Sequence, residues 1–220
     1  MKILAIETSG AACSVALLMN NQFTQIHKIA PAEQAQLVLS IIDEILQQHH
    51  ITLKDLDTLA FGCGPGSFTG VRIATSVIQG LSYATELPVI PISSLAALAQ
   101  TVCADLGWKQ IAVAVDARMN EIYWAGYQVN SQGLVELVGK EVLSVPENLI
   151  LPSEIKWYGA GNGWEVYAEK MPFQPLARDV ICLPTAKAVI QLAIPKFERQ
   201  EWVRAVDVVP VYLRDKVVKS

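Results

Sequence analysis

The sequence predicts an α/β protein built from two successive halves, each of the order strand–strand–strand–helix–strand–helix, with the second half reduced. Three observations carry this. Short apolar runs rich in Val, Ile and Ala alternate with longer segments whose apolar residues recur at helical spacing. Three strand-like runs open the chain, and three more follow the break at Gly107-Trp108-Lys109. With 220 residues, 52% of them apolar and 17% charged, the chain can bury a substantial core.

Lys2–Glu7 reads as a buried strand, followed by a Thr8-Ser9-Gly10 turn and a second strand over Ala11–Met19. Asn20-Asn21 suits a hairpin turn into a third strand, Gln22–Lys28, because Asn tolerates the left-handed backbone such turns need. Pro31 opens a helix with Glu33 in its first turn, and Leu37, Val38, Ile41, Ile42, Ile45 and Leu46 continue it to His50. Leu56–Phe61 is a short strand, Thr69–Thr85 a second helix, Pro88–Pro91 a strand and Ser93–Leu106 a helix, which closes a unit over 1–106. The unit 107–220 repeats the order. Its strands are Ile111–Asp116, Glu121–Val129 and Leu134–Val142, with a turn at Asn130-Ser131-Gln132-Gly133. A strand at Ile155–Tyr158, a glycine turn over Gly159–Gly163, a short helix and a helix at Thr185–Arg199 follow. The last segment is expected to pack back on the first half. Two halves that each begin with a meander describe the architecture of actin, sugar kinases and heat-shock ATPases. There a nucleotide lies between the halves, held by the turns that open each one. Those turns are here Glu7-Thr8-Ser9-Gly10 and Asp116-Ala117-Arg118-Met119-Asn120.

Several function classes are excluded. Seventeen Lys and Arg against 21 Asp and Glu give a net charge of −4, and no block of basic residues occurs, so most of the grip on any RNA must come from elsewhere. Cys13, Cys63, Cys103 and Cys182 form no Cys-x-x-Cys pair and read as free thiols. Of the histidines His27, His49 and His50, the last two are neighbours about 100° apart on a helix, so they cannot face one ion. No metal site and no nucleophile–base pair is expected, and so no catalytic residue. No apolar run approaches the roughly 18 residues of a membrane span, and Glu7 interrupts the start too early for a signal peptide. A cytoplasmic protein is expected.

The stretch Gly62-Cys63-Gly64-Pro65-Gly66-Ser67-Phe68-Thr69-Gly70 lies between a strand and a helix, where phosphate loops are found. It lacks the Gly-Lys-Ser/Thr of a P-loop and the G-x-G-x-x-G of a dinucleotide fold. An anion site at the helix start, through Gly64 and Ser67, remains one reading; close backbone approach is the other. Gly66, Gly70 and Ala74 are spaced four apart and share a face, extended by Gly80 and Ala84, so the helix presents a groove shallow enough for a neighbouring helix. The first helix carries an apolar stripe wider than one seam. The expected partner interface is Gly66, Gly70, Ala74 and Val77 with Gln34, Leu37, Val38, Ile41 and Ile45, and the pattern leaves intramolecular packing equally open. For a nucleotide or anion, the candidate contacts are Glu7, Thr8, Ser9, Gly64, Ser67, Asp116 and Arg118, with turn or cap roles as the plainer alternative for the acids. Arg118 and Glu121 flank the second turn and suit an ion pair as well as a ligand contact.

Gly64-Pro65-Gly66-Ser67-Phe68-Thr69-Gly70-Val71-Arg72-Ile73 resembles the motif of the bacterial TsaB (YeaZ) family. Ala5-Ile6-Glu7-Thr8-Ser9 with Ala12-Cys13-Ser14-Val15-Ala16-Leu17, Asp116-Ala117-Arg118-Met119 with Glu121-Ile122-Tyr123-Trp124, and Pro210-Val211-Tyr212-Leu213-Arg214 agree in order. The resemblance implies the actin-like ATPase fold and a part in making threonylcarbamoyladenosine beside the anticodon of tRNAs that read codons starting with A. It implies a non-catalytic subunit that docks the transferase paralogue TsaD as a heterodimer, joins the ATPase TsaE in a ternary complex, self-associates when alone and meets tRNA only through the complex. TsaD proteins hold metal through His-x-x-x-His on the first helix, where this chain has Glu33-Gln34-Ala35-Gln36-Leu37-Val38-Leu39; Gln34 stands where TsaB proteins often keep one histidine. No cofactor is implied, and ATP or ADP would bind weakly or only in the complex. The rival readings are a glycoprotease-like enzyme acting on TsaD and a nucleotide-sensing regulator of the complex.

Overall fold

The computed structural model describes residues 1–152 and 156–214. Strands β1 (Ile3–Glu7), β2 (Ala12–Met19), β3 (Gln22–Ile29), β4 (Thr58–Gly62) and β5 (Val89–Ile92) form one sheet in the order β3-β2-β1-β4-β5. Strands β6 (Gln110–Asp116), β7 (Ile122–Val129), β8 (Val135–Ser144), β9 (Tyr158–Ala160) and β10 (Arg178–Asp179) form the other, in the order β10-β9-β6-β7-β8. In both sheets the first strand of the half pairs antiparallel with the second and parallel with the fourth. The repeat visible only as a pattern in the sequence is thus a repeat of topology, and the fold is the expected actin-like one. Asn20 and Asn21 take left-handed backbone in the hairpin, as their residue type allows.

Helices α1 (Gln34–Gln48) and α2 (Phe68–Thr85) follow β3 and β4, and α3 (Ser94–Leu106) follows β5. The second half is reduced as expected. Before β9 the described residues hold only a 3-10 turn at Pro146–Asn148 in place of α1, α4 (Gly163–Val166) is a single turn in place of α2, and α5 (Ala186–Glu198) closes the half. Several boundaries shift by one to three residues. The first helix begins at Gln34 rather than Pro31, because Ala32 is left-handed and the chain first turns through Ala30–Glu33. The strand expected at Pro88–Pro91 runs one residue later. The strand expected at Ile155–Tyr158 is β9, and Ile155 lies outside the described residues.

The last helix of each half crosses to the other half's sheet. Ala186, Val189, Ile190 and Ala193 of α5 pack on Ile3, Ala5, Ala16, Leu18 and Ile90 of the first sheet. Leu95, Leu98, Ala99 and Val102 of α3 pack on Ile111, Val113, Ala125 and Tyr127 of the second. The two halves therefore exchange helices, while the cluster around Trp124 and Trp164 lies wholly within the second half. The far face of the first sheet is covered by α1 and α2 through Val38, Ile41, Ile45, Ala74 and Ile78.

A C-terminal arm runs back over the first half. Val203 pairs with Val89 and covers the edge of β5, Gln79 donates to the Ala205 carbonyl at 3.2 Å, and Val208 is buried against α2. Val211 N–H then donates to the Cys63 carbonyl at 2.7 Å. No helix among the described residues is long and apolar enough to cross a membrane.

Candidate functional site

The glycine turn is where the fold's segments meet. A Cβ on Gly62 would collide with the Glu7 carboxylate. Gly64 has a φ of +100°, and a Cβ there would stand 2.8 Å from the Val211 carbonyl of the arm. On Gly66 it would stand 2.7 Å from Ser9 Cβ, and on Gly70 it would overlap the Thr8 carbonyl oxygen. Ser67 N–H donates to the Ser9 carbonyl at 2.8 Å, and the Thr8 hydroxyl donates to the Gly70 carbonyl at 2.7 Å. Gly66 and Gly70 therefore seat the chain's own β1–β2 turn and Ala74 is buried in the core over the first sheet, which corrects the interface role that the spacing suggested for Gly70 and Ala74. The spacing correctly marked a face approached closely by backbone; it could not say whose backbone.

Glu7 is 1% exposed at the end of β1. Its Oε1 accepts from Ser9 N–H at 2.5 Å and its Oε2 from the Ser94 hydroxyl at 2.9 Å, while Ser94 Oγ accepts from Gly64 N–H at 3.2 Å. Burial pushes the Glu7 carboxyl above its usual range, and the bonds from Ser9 and Ser94 offset part of that rise. The folded chain thus holds this proton more tightly than the unfolded chain. The stability the group contributes is complete below the unfolded pKa and is lost as pH rises through the folded one. Glu7→Gln keeps an acceptor for Ser9 and supplies a donor toward Ser94 Oγ. Thermal melts from about pH 4 to pH 8 should show the Tm of this variant gaining on the wild type as pH rises; parallel curves would refute the assignment.

Between the halves lies a cleft of about 650 Å³. Ser9, Gly66 and Ser67 line it from the first half, Asp116, Arg118 and Asn162 from the second, and Tyr212 and Arg214 from the arm. Glu7, Thr8 and Gly64 do not reach it. Asp116 Oδ1 accepts from Arg118 N–H and from the Tyr167 hydroxyl, both at 2.8 Å, and Oδ2 pairs with the Arg118 guanidinium at 3.2 Å. Burial, and then Asp116, push the Tyr167 hydroxyl up to about 12, so it stays a proton donor to Asp116 across the working range. Both turns that face the cleft are already engaged within the chain. The β1–β2 turn spends Ser9 N–H on Glu7, and the acid of the second turn is bonded on both oxygens. Among the described residues no three His, Cys, Asp or Glu side chains stand together as a metal site. Cys63 and Cys182 have their thiols pushed up to about 12 by burial, which keeps both protonated and slow to react while the fold is closed.

The outer face of α1 and α2 is a different surface from the one the spacing suggested. Gln34, Val38, Ile41, Ile45, Gly70 and Ala74 are buried inside the chain, and Gln34 donates to the Gly10 carbonyl at 3.1 Å. Of the expected interface residues, Leu37 and Val77 remain accessible on this face, and half-buried Gly66 opens on the cleft instead. The open row is Ser76, Gly80 and Ala84, flanked by half-buried Ile73, Val77 and Leu81 and by Tyr83, which is 80% exposed. A Cβ on Gly80 would meet nothing within 4 Å. Sequence reasoning also missed Ser94, Tyr167 and Arg214 as organisers of the turns. Ser94 carried a signal, since a second serine stands directly behind the α3 cap Ser93.

An actin-like ATPase fold whose inter-half turns are engaged in internal contacts defines the class of this protein, a member of that superfamily. The family model described as TsaD, tRNA N6-adenosine threonylcarbamoyltransferase, matches residues 18–215. The tRNA threonylcarbamoyladenosine biosynthesis protein TsaB of Haemophilus influenzae is 35% identical over 99% of this chain and 95% of its own length. That of Escherichia coli is 35% identical over 99% and 96%. The structure of YeaZ from Pseudomonas aeruginosa superposes with a TM-score of 0.93 at 42% identity, covering 96% of this chain and 99% of that one. The chain belongs to the TsaB (YeaZ) family.

Proposed function

We propose that this chain is the non-catalytic, activating subunit of a tRNA threonylcarbamoyladenosine biosynthesis complex in the cytoplasm. The observation that carries the reading is the match, over nearly the whole of both chains, to relatives named as biosynthesis proteins of that modified nucleoside. Its partner is the transferase paralogue TsaD, docked through the outer face of α1 and α2, with the ATPase TsaE joining the pair. Alone, the chain self-associates through the same face. Transfer of the threonylcarbamoyl group to adenosine N6 belongs to the paralogue, and tRNA meets this chain only within the complex. Three features support the assignment. The open row on α2 has no packing role in the chain itself, Ser9 N–H and both Asp116 oxygens are engaged within the chain, and Gln34 stands buried where the resemblance places the paralogue's metal-binding histidine. By itself the chain turns over no ATP.

Depletion of the protein, followed by mass spectrometry of digested tRNA, should show threonylcarbamoyladenosine falling several-fold while other modified nucleosides are unchanged. Unchanged levels would end the proposal.

A further inference from the structure

The β6–β7 turn is wound against its preference. Arg118, Met119 and Asn120 all take left-handed backbone, with φ of 63°, 57° and 59°. For Arg and Met such backbone costs about 1–2 kcal/mol each, so the turn needs an external hold. Asp116 supplies part of it by accepting from Arg118 N–H. The rest comes from Arg214, near the end of the arm. Its Nη2 donates to Glu121 Oε2 at 2.6 Å, to the Ala117 carbonyl at 3.0 Å and to the Arg118 carbonyl at 3.4 Å, and its Nη1 lies 3.0 Å from Met119 Sδ. One guanidinium therefore holds the carbonyls and the flanking acid of a turn nearly one hundred residues away in sequence.

Two residues earlier the same arm is fixed to α2. Arg72 Nε donates to the Tyr212 hydroxyl at 2.8 Å, and its guanidinium lies 3.5 Å from the centre of the Phe68 ring. Tyr212 and Phe68 are in turn 6.0 Å apart, ring centre to ring centre. Between helix and turn, Tyr212 and Arg214 form one wall of the inter-half cleft.

We propose that residues Val211–Arg214 are a latch. They couple the first turn of α2 to the strained β6–β7 turn, and so set how far the cleft opens according to what engages Phe68 and Arg72. Released at Arg214, the turn relaxes from its left-handed form and the wall moves off; disturbed at Arg72, the arm loosens and the same turn is freed from a distance.

Hydrogen exchange of the isolated chain tests it. Arg214→Ala should raise amide exchange across Asp116–Glu121 by about tenfold or more, the scale set by losing charge-assisted bonds, while Ile3–Glu7 and Ala12–Met19 keep their protection and report an intact fold. Arg72→Ala does not touch the turn, yet should raise exchange there by about threefold. In a Cys103→Ser background, labelling of the cleft thiol Cys182 should accelerate in the same order. If Arg214→Ala leaves exchange at the turn unchanged, the hold is refuted. If Arg72→Ala changes only α2, Arg214 is a local cap and the coupling is refuted.

Discussion

Gly70→Ala will destabilise the isolated chain by about 3 kcal/mol or more, and Gly80→Ala, the same change ten residues along the same helix, will stabilise it by about 1 kcal/mol. Both glycines lie inside α2, where alanine is favoured by roughly 1 kcal/mol through helix propensity. The difference lies in what each faces. A methyl on Gly70 overlaps the carbonyl oxygen of Thr8, which belongs to backbone fixed by Ser67 N–H and by the bond from Thr8 Oγ1 to Gly70 itself. Neither partner is the far end of a flexible side chain, so relief requires the β1–β2 turn to leave α2. A methyl on Gly80 meets open space. The clash outweighs propensity at the first site, and propensity acts alone at the second. For a chain of this size the Tm should fall by about 10 °C in one variant and rise by about 3 °C in the other. Differential scanning calorimetry reads both, and equal shifts would show that the packing at Gly70 is wrongly described.

That contrast also explains how much the sequence could disclose. Order, type and approximate span of the elements were legible because each is set by local period: 3.6 for Val38–Ile41–Ile45, near-continuous burial for Ile3–Ile6 and Val113–Ala114, and turn chemistry at Asn20-Asn21. The doubling of the topology was legible for the same reason. The crossover of α3 and α5 was not, since both helices are apolar enough to cover either sheet and only the three-dimensional path decides which. At the glycine turn the need for close approach was readable from Gly62, Gly64, Gly66 and Gly70. The occupants, namely Glu7, the arm at Val211 and the turn at Thr8-Ser9, come from segments about 55 to 150 residues away, and no local pattern encodes them. The acids show the same limit. Glu7 and Asp116 occupy equivalent turns and look alike in sequence. One is sealed under Gly62 and pushed up by burial, while the other faces the cleft with Tyr167 and Arg118 on it. Docking residues were the hardest to place, because on an amphipathic helix the core stripe and a partner stripe obey the same period. Val77 belongs to the outer flank and Ala74, three residues earlier, to the core.

Under the proposed docking on α2, Gly80→Trp is expected to weaken association with the transferase paralogue by about 30-fold or more while leaving the isolated chain folded. At an open helix face the substitution has no neighbour to strain, so its own stability cost stays near the few tenths of a kcal/mol of other surface changes. In a complex the position has a different meaning. Helices pack about 8–10 Å apart, nearer the lower figure where small residues face each other, and Ser76, Gly80 and Ala84 together present the shallowest part of α2. An indole there holds the partner helix off and removes the contacts of Val77, Ile73 and Leu37 along with its own, a loss of about 2 kcal/mol or more. Val77→Asp should act in the same sense by placing an unpaired charge in the seam. Gly80→Ala serves as the control, since a single methyl lies within what a helix seam tolerates. Calorimetric titration against the paralogue, with melting curves of each free variant, separates the two effects. Wild-type affinity in both Gly80→Trp and Val77→Asp would move the docking surface away from α2, whatever the role of the chain in tRNA modification.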